Sequence, residues 1–97
     1  MGKRSLALLF TLIFFSLSLS GCQYFSAKKE IANAGKLLSE LKGAGGEKQV
    51  PYEYCGAEKF LEAANIEFSQ NDFGPAKALA ERSKSAAEAG LAQVKKK

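Results

Sequence analysis

Histidine is absent from all 97 residues. Without an imidazole there is no Cys–His nucleophile pair in one chain, and the commonest nitrogen ligand for zinc is missing. Cysteine is scarce, at Cys22 and Cys55 alone. No segment alternates apolar and polar residues over a useful length, so no sheet is expected. The cluster Gly43-Ala44-Gly45-Gly46 has no strand before it and no Lys-Ser/Thr after it, which excludes a phosphate-binding loop and leaves a linker. The basic residues are scattered without an aromatic platform, which argues against nucleic-acid binding. Only one long apolar run exists, from Leu6 to Leu19. As a helix it spans roughly 21 Å against a hydrocarbon core of about 30 Å, so it is too short to cross unless it continues through Cys22, Tyr24 and Phe25.

That run is preceded by Lys3 and Arg4, the charge pattern of a secretory leader. It ends in Leu19-Ser20-Gly21-Cys22, a cysteine after two small residues. These residues resemble the lipobox of bacterial lipoproteins. The resemblance implies recognition through Leu19, Ser20 and Gly21, cleavage after Gly21, and lipidation of Cys22, which becomes the acylated N-terminus. It also implies a membrane attachment through the N-terminal lipid. Gln23 stands where aspartate usually signals inner-membrane retention, so the resemblance implies the outer membrane, facing the periplasm, in a cell that has one.

The chain then divides into a signal peptide over 1–21, a lipidated tether over 22–26 and a small helical domain over 27–97. Removing the leader leaves 76 residues, enough for one small and marginally stable domain. Lys3 and Arg4 go with it, so 12 basic side chains face 10 acidic ones. Lys95 to Lys97 supply much of that mild excess and read as a solvated helix end. If Cys22 carries lipid through sulfur, Cys55 is the single free thiol. It fits a small hydrophobe packed in a helix, or a thiol available for an intermolecular bridge or redox sensing.

Three helices are expected in the mature chain. Ile31, Ala34, Leu37, Leu38 and Leu41 share one helical face, which predicts a helix over about 27–42 with Ser26 as a candidate N-cap and Gly43–Gly46 as its stop. Gly35 inside it is read as permitting a close helix contact. Pro51 suits a first helical position, with Glu53 in the first turn, and Ala57, Phe60, Leu61, Ala64 and Phe68 mark a buried face over about 51–70. Asn71-Asp72 ends that helix and Asp72 is placed to cap the next. Phe73, Ala76, Leu79, Ala80, Ser83, Ala86, Ala87, Leu91 and Val94 carry the third stripe over about 74–94. The fold class expected is all-α, a three-helix antiparallel domain.

The last two helices resemble one tetratricopeptide-like repeat. The turn Asn71-Asp72-Phe73-Gly74-Pro75-Ala76 matches the repeat's acid-or-amide, aromatic, two variable residues, alanine, and Ala64 lies where the first helix needs a small residue. Such repeats normally need about three copies to bury a continuous core, so one copy implies a hairpin closed by the first helix. The mature chain as a whole resembles small alanine-rich envelope lipoproteins whose domain has no assigned function. Pro51-Tyr52-Glu53-Tyr54, Ala57-Glu58-Lys59-Phe60-Leu61, Asp72-Phe73 and the alanine-rich 76–92 stretch carry that likeness. It brings no catalytic residue with it.

Glu58 and Glu62 share a helix face, but nothing in the sequence buries them, and a solvated face fits better than acid–base chemistry. Tyr52 and Tyr54 fit either core positions or an exposed aromatic contact at a helix start. With Cys55 they are the candidate partner contact. No enzyme activity, metal or cofactor is expected. The function expected is a membrane-anchored envelope lipoprotein acting as a protein-binding or structural module, with an envelope protein or its own copies as partner. The alternative is a small-ligand carrier or an accessory subunit of an envelope enzyme or transport complex, for which a three-helix core this small offers little room.

Overall fold

The computed structural model describes the backbone of residues 3–96, and the side chains of those residues except Arg4 and 14–22. The described residues are all-helical, with no strand: α1 Lys3–Gly43, α2 Gly46–Gln49, α3 Pro51–Ser69 and α4 Phe73–Lys96. The two later helix expectations hold to within two residues at each end.

The first helix does not begin near residue 27. It is continuous from Lys3, so Ser26 lies in its interior and is no N-cap. The physical reason lies in residues 22–27. None of them is a helix breaker, and Tyr24 and Ala27 are held by packing: Ala27 is fully buried and Tyr24 is half-buried against α3 and α4. The segment expected as a tether is therefore a helical turn of the bundle. Its helix ends at Gly43 as the glycine cluster requires. That cluster is not a plain linker. Gly45 takes the left-handed region at φ 85°, and the chain then makes the short α2 before Val50 turns it into α3.

Ring and side-chain pairings fix the topology. Phe68 meets Phe73, Gly56 meets Ala86, and Glu53 meets Gln93, so α3 and α4 run antiparallel. Tyr24 meets Phe73, Glu30 meets Lys84, and Leu41 meets Gly90, so α1 runs alongside α4 in the same direction. The α3–α4 pair is the most extensively packed, followed by α1–α4. The overall extents, 70 × 21 × 15 Å, reflect the N-terminal part of α1 projecting beyond the bundle. Leu6, Leu8, Leu9, Phe10, Leu12 and Ile13 are all exposed there. Among the described residues no helix is long and apolar enough to cross a membrane.

The core is mostly alanine. Ala27, Ala34, Ala57, Ala64, Ala76, Ala80 and Ala87 are fully buried, and Leu41 and Ser83 are the largest side chains with no exposure. Small residues let helix axes approach to the short end of the usual 8–10 Å range. Leu41 is a large, fully buried knob. It enters a hole roofed by Val50, Tyr54, Ala57 and Ala87 and floored by two glycines. A Cβ added at Gly46 would lie 2.5 Å from Leu41 Cγ, and one at Gly90 would lie 2.9 Å from Leu41 Cδ2. Gly35, expected to allow a close contact, does not: a Cβ there would meet Leu61 at an ordinary 3.9 Å. Ser83 adds a buried polar tie, its hydroxyl donating to the Ala57 carbonyl across the α3–α4 seam at 2.6 Å.

Candidate partner-contact site

The three residues marked at the start of α3 separate in space. Tyr54 is buried and belongs to the Leu41 cluster, so it is a core residue and no part of an exposed contact. Its neighbours at i−2 and i+1 point outward: Tyr52 is 86% exposed, and Cys55 is exposed rather than packed. The periodicity explains the split. Tyr54, Ala57, Leu61 and Ala64 follow the inward stripe, whereas Tyr52, Cys55, Gly56, Lys59 and Phe60 recur at i, i+3, i+4, i+7 and i+8 on an adjoining face.

That second face borders a groove of about 550 Å³ between α3 and α4. Gly56, Ala86 and Ala89 make its floor, because the helices meet there through small residues, with a Cβ on Gly56 reaching Ala86 Cβ at 3.8 Å. Tyr52 and Phe60, two helical turns apart, stand at its two ends, and Cys55 opens onto it. Phe60 also borders a more polar depression of about 500 Å³ shared with Glu81, Arg82 and Ser85. Gly56, Phe60, Ala86 and Ala89 were not marked as contact residues in the sequence. The signal that finds Gly56 and Phe60 is the second i, i+3, i+4, i+7 stripe on α3; Ala86 and Ala89, on α4, carry no such signal.

The charges at the groove are engaged at its rim. Glu53 Oε1 accepts from Gln93 Nε2 at 2.9 Å, and Lys59 pairs with Glu62 at 3.5 Å in full solvent contact, a pair contributing little to stability. Glu58 and Glu62 are both exposed. Burial raises the Tyr54 phenol above its ordinary 10.0, and the Glu58 and Glu47 carboxylates add to that. Among the described residues no three His, Cys, Asp or Glu side chains gather as a metal-ligand set.

The opposite end of the bundle carries an aromatic group. Tyr24 lies 5.3 Å from both Phe68 and Phe73 and 5.4 Å from Phe25, and Phe68 lies 5.2 Å from Phe73. Lys28 Nζ sits 5.9 Å from the Tyr24 ring centre. Nearby, a hydrogen bond that the protonated Glu67 carboxyl donates to Asp72, together with partial burial, raises Glu67 above its usual 4.5, with the Asp72 charge adding to the effect. Twelve residues separate Phe68 from Gly56, about 18 Å of helix, so the groove and the aromatic end are distinct regions. Leu19, Ser20, Gly21 and Cys22 lie outside the residues whose side chains are described, although the α1 backbone runs through them.

No family model, curated protein or solved structure matches the chain.

Proposed function

We propose that the chain is a bacterial envelope lipoprotein, acylated at Cys22 after cleavage beyond Gly21, whose helical domain is a non-catalytic protein-binding or structural module. In this reading α3 and α4 form a tetratricopeptide-like hairpin that α1 closes. The full burial of Ala64, Ala76 and Ala80 supports that arrangement. Gln23 after the lipidated cysteine favours the outer membrane, with the domain in the periplasm. The observation that carries the binding role is the apolar groove between Tyr52 and Phe60, at a distance from the lipid-bearing end. An aromatic side chain 86% exposed beside an apolar trough of small residues has the form of an interaction anchor.

Cys55 supplies the test. A bifunctional thiol–amine crosslinker in intact cells should join Cys55 to an envelope protein or to a second copy, identified by mass spectrometry. The adduct should vanish in Cys55→Ser and weaken in Tyr52→Ala. An adduct of unchanged yield in Tyr52→Ala would refute the groove as the contact. Metabolic labelling with a clickable fatty acid tests the anchor separately, since Cys22→Ala should lose the label and keep the uncut leader.

A second reading is a small-ligand carrier. The groove volume of about 550 Å³ favours it, being within the range of ligand sites, about 300–1,000 Å³. Native mass spectrometry of protein extracted from the envelope would then show a bound small molecule, released by Phe60→Ala.

A further inference from the structure

We infer that the aromatic end of the bundle is a membrane-docking surface, with Phe25 inserted into the interfacial layer of the bilayer. The inference rests on the attachment through Cys22 proposed above, and adds how the domain stands on the membrane.

A lipidated cysteine holds its own backbone at the level of the lipid head groups. Phe25 follows three residues later in the same unbroken helix, about 4.5 Å of rise. The polar layer on each side of a bilayer is roughly 5–8 Å deep. With Tyr24 packed against Phe68 and Phe73, the stretch after Cys22 has no slack to lift the domain clear. Phe25 is 69% exposed at this level, although its neighbour Tyr24 is taken up by the bundle. Three residues from the acylated end, an exposed phenylalanine sits at the depth where apolar side chains settle about 5–10 Å into the boundary. The first turn of α4 after Phe73, Gly74-Pro75, is exposed and uncharged, and Lys28 and Lys29 stand one helical turn further along α1, in reach of phosphate groups. The acidic groups at this end are Glu67 and Asp72, and Asp72 holds the Glu67 proton more tightly than usual. An α1 left attached to its apolar leader would present the same end to the bilayer, because the helix is continuous.

The chain has no tryptophan, so a single introduced indole reports its own depth. Phe25→Trp and Tyr52→Trp, both surface positions, would be purified from the envelope and reconstituted in vesicles of phosphatidylethanolamine and phosphatidylglycerol. The vesicles would carry either brominated or ordinary acyl chains. The indole of Phe25→Trp should lose most of its fluorescence to the brominated chains, and that of Tyr52→Trp should keep its own. No quenching of Phe25→Trp overturns the inference, as does equal quenching of both, which means a domain lying on its side. The acyl mass on Cys22, measured on the same preparations, separates the two readings. Acylated but unquenched protein sinks the docking surface and leaves the anchor standing. Quenched but unacylated protein does the reverse, and protein that is neither sinks both.

Discussion

Gly90 and Leu41 form a contact whose energetic sign can be computed before it is measured. An alanine in a helix interior is about 1 kcal/mol more favourable than a glycine, so Gly90→Ala at an open site in α4 should stabilise by that amount. Gly90 is not an open site. Its new methyl would stand 2.9 and 3.1 Å from the two δ carbons of Leu41 and 3.2 Å from Glu53 Cβ. Leu41 is fully buried, so its δ carbons can give way only by moving within the core. Overpacking of this kind costs about 1–3 kcal/mol, so the net change should run from neutral to about 2 kcal/mol destabilising. Leu41→Val removes both δ carbons and relieves the closest approaches. In that background Gly90→Ala should recover most of the helix-propensity gain, giving a coupling of about 1–3 kcal/mol between the two positions. Urea unfolding of the four proteins, followed by far-ultraviolet circular dichroism, measures the cycle. The reasoning fails if Gly90→Ala stabilises the wild type by the full propensity difference, or if the two substitutions add.

Other consequences can be checked the same way. Ser83→Ala removes the cross-seam hydroxyl donor but leaves the Ala57 carbonyl its own helical partner, so the loss should be about 0.5–1.5 kcal/mol in urea unfolding. Tyr54→Ala should lower the melting temperature sharply, whereas Tyr52→Ala should leave it nearly unchanged; equal effects would contradict their opposite exposures. Because the folded state holds the Glu67 proton more tightly than the unfolded chain, this group's stabilisation is complete below its unfolded pKa. It is lost as pH rises through its raised folded value. Glu67→Gln should therefore narrow the gap in urea midpoint between mildly acid and neutral pH, and an unchanged gap would exclude the Glu67–Asp72 interaction as its source.

The helical class and the inward stripes of α3 and α4 were legible because they are local. Alanine, leucine and phenylalanine recur at helical spacing, and Pro51 and Asn71-Asp72 mark the boundaries between helices. The start of α1 was not legible, since no residue signal distinguishes a tether from a helix when the segment contains no breaker. What holds residues 23–27 in the bundle is tertiary, the packing of Tyr24 onto rings more than forty positions away. The glycines show the same limit. Gly35 and Gly90 look alike in sequence, and only the position of Leu41 decides that one of them is needed. For the contact face, the exposure of Tyr52 and the burial of Tyr54 depend on the phase of the α3 stripe, which Ala57 and Ala64 already fix. Taking Tyr52, Tyr54 and Cys55 as one cluster overlooked that phase.

The alanine core and the exposed groove have a common cause. Helices that meet through alanine and glycine lie too close together for larger side chains to enter the seam. Phe60, Leu61, Leu79 and Leu91 are accordingly left half-buried along its edges, and Tyr52 and Ile66 remain in solvent. Each buried alanine removes little apolar area from water, so the domain gains less from its interior than a leucine-rich bundle of equal length would. The displaced aromatic groups flank a trough whose floor is made of the small residues that displaced them, Gly56, Ala86 and Ala89. Enlarging that floor would therefore act on binding and packing together. A substitution at Tyr52, which is exposed, changes only the wall, and that makes it the proper place to separate recognition from stability.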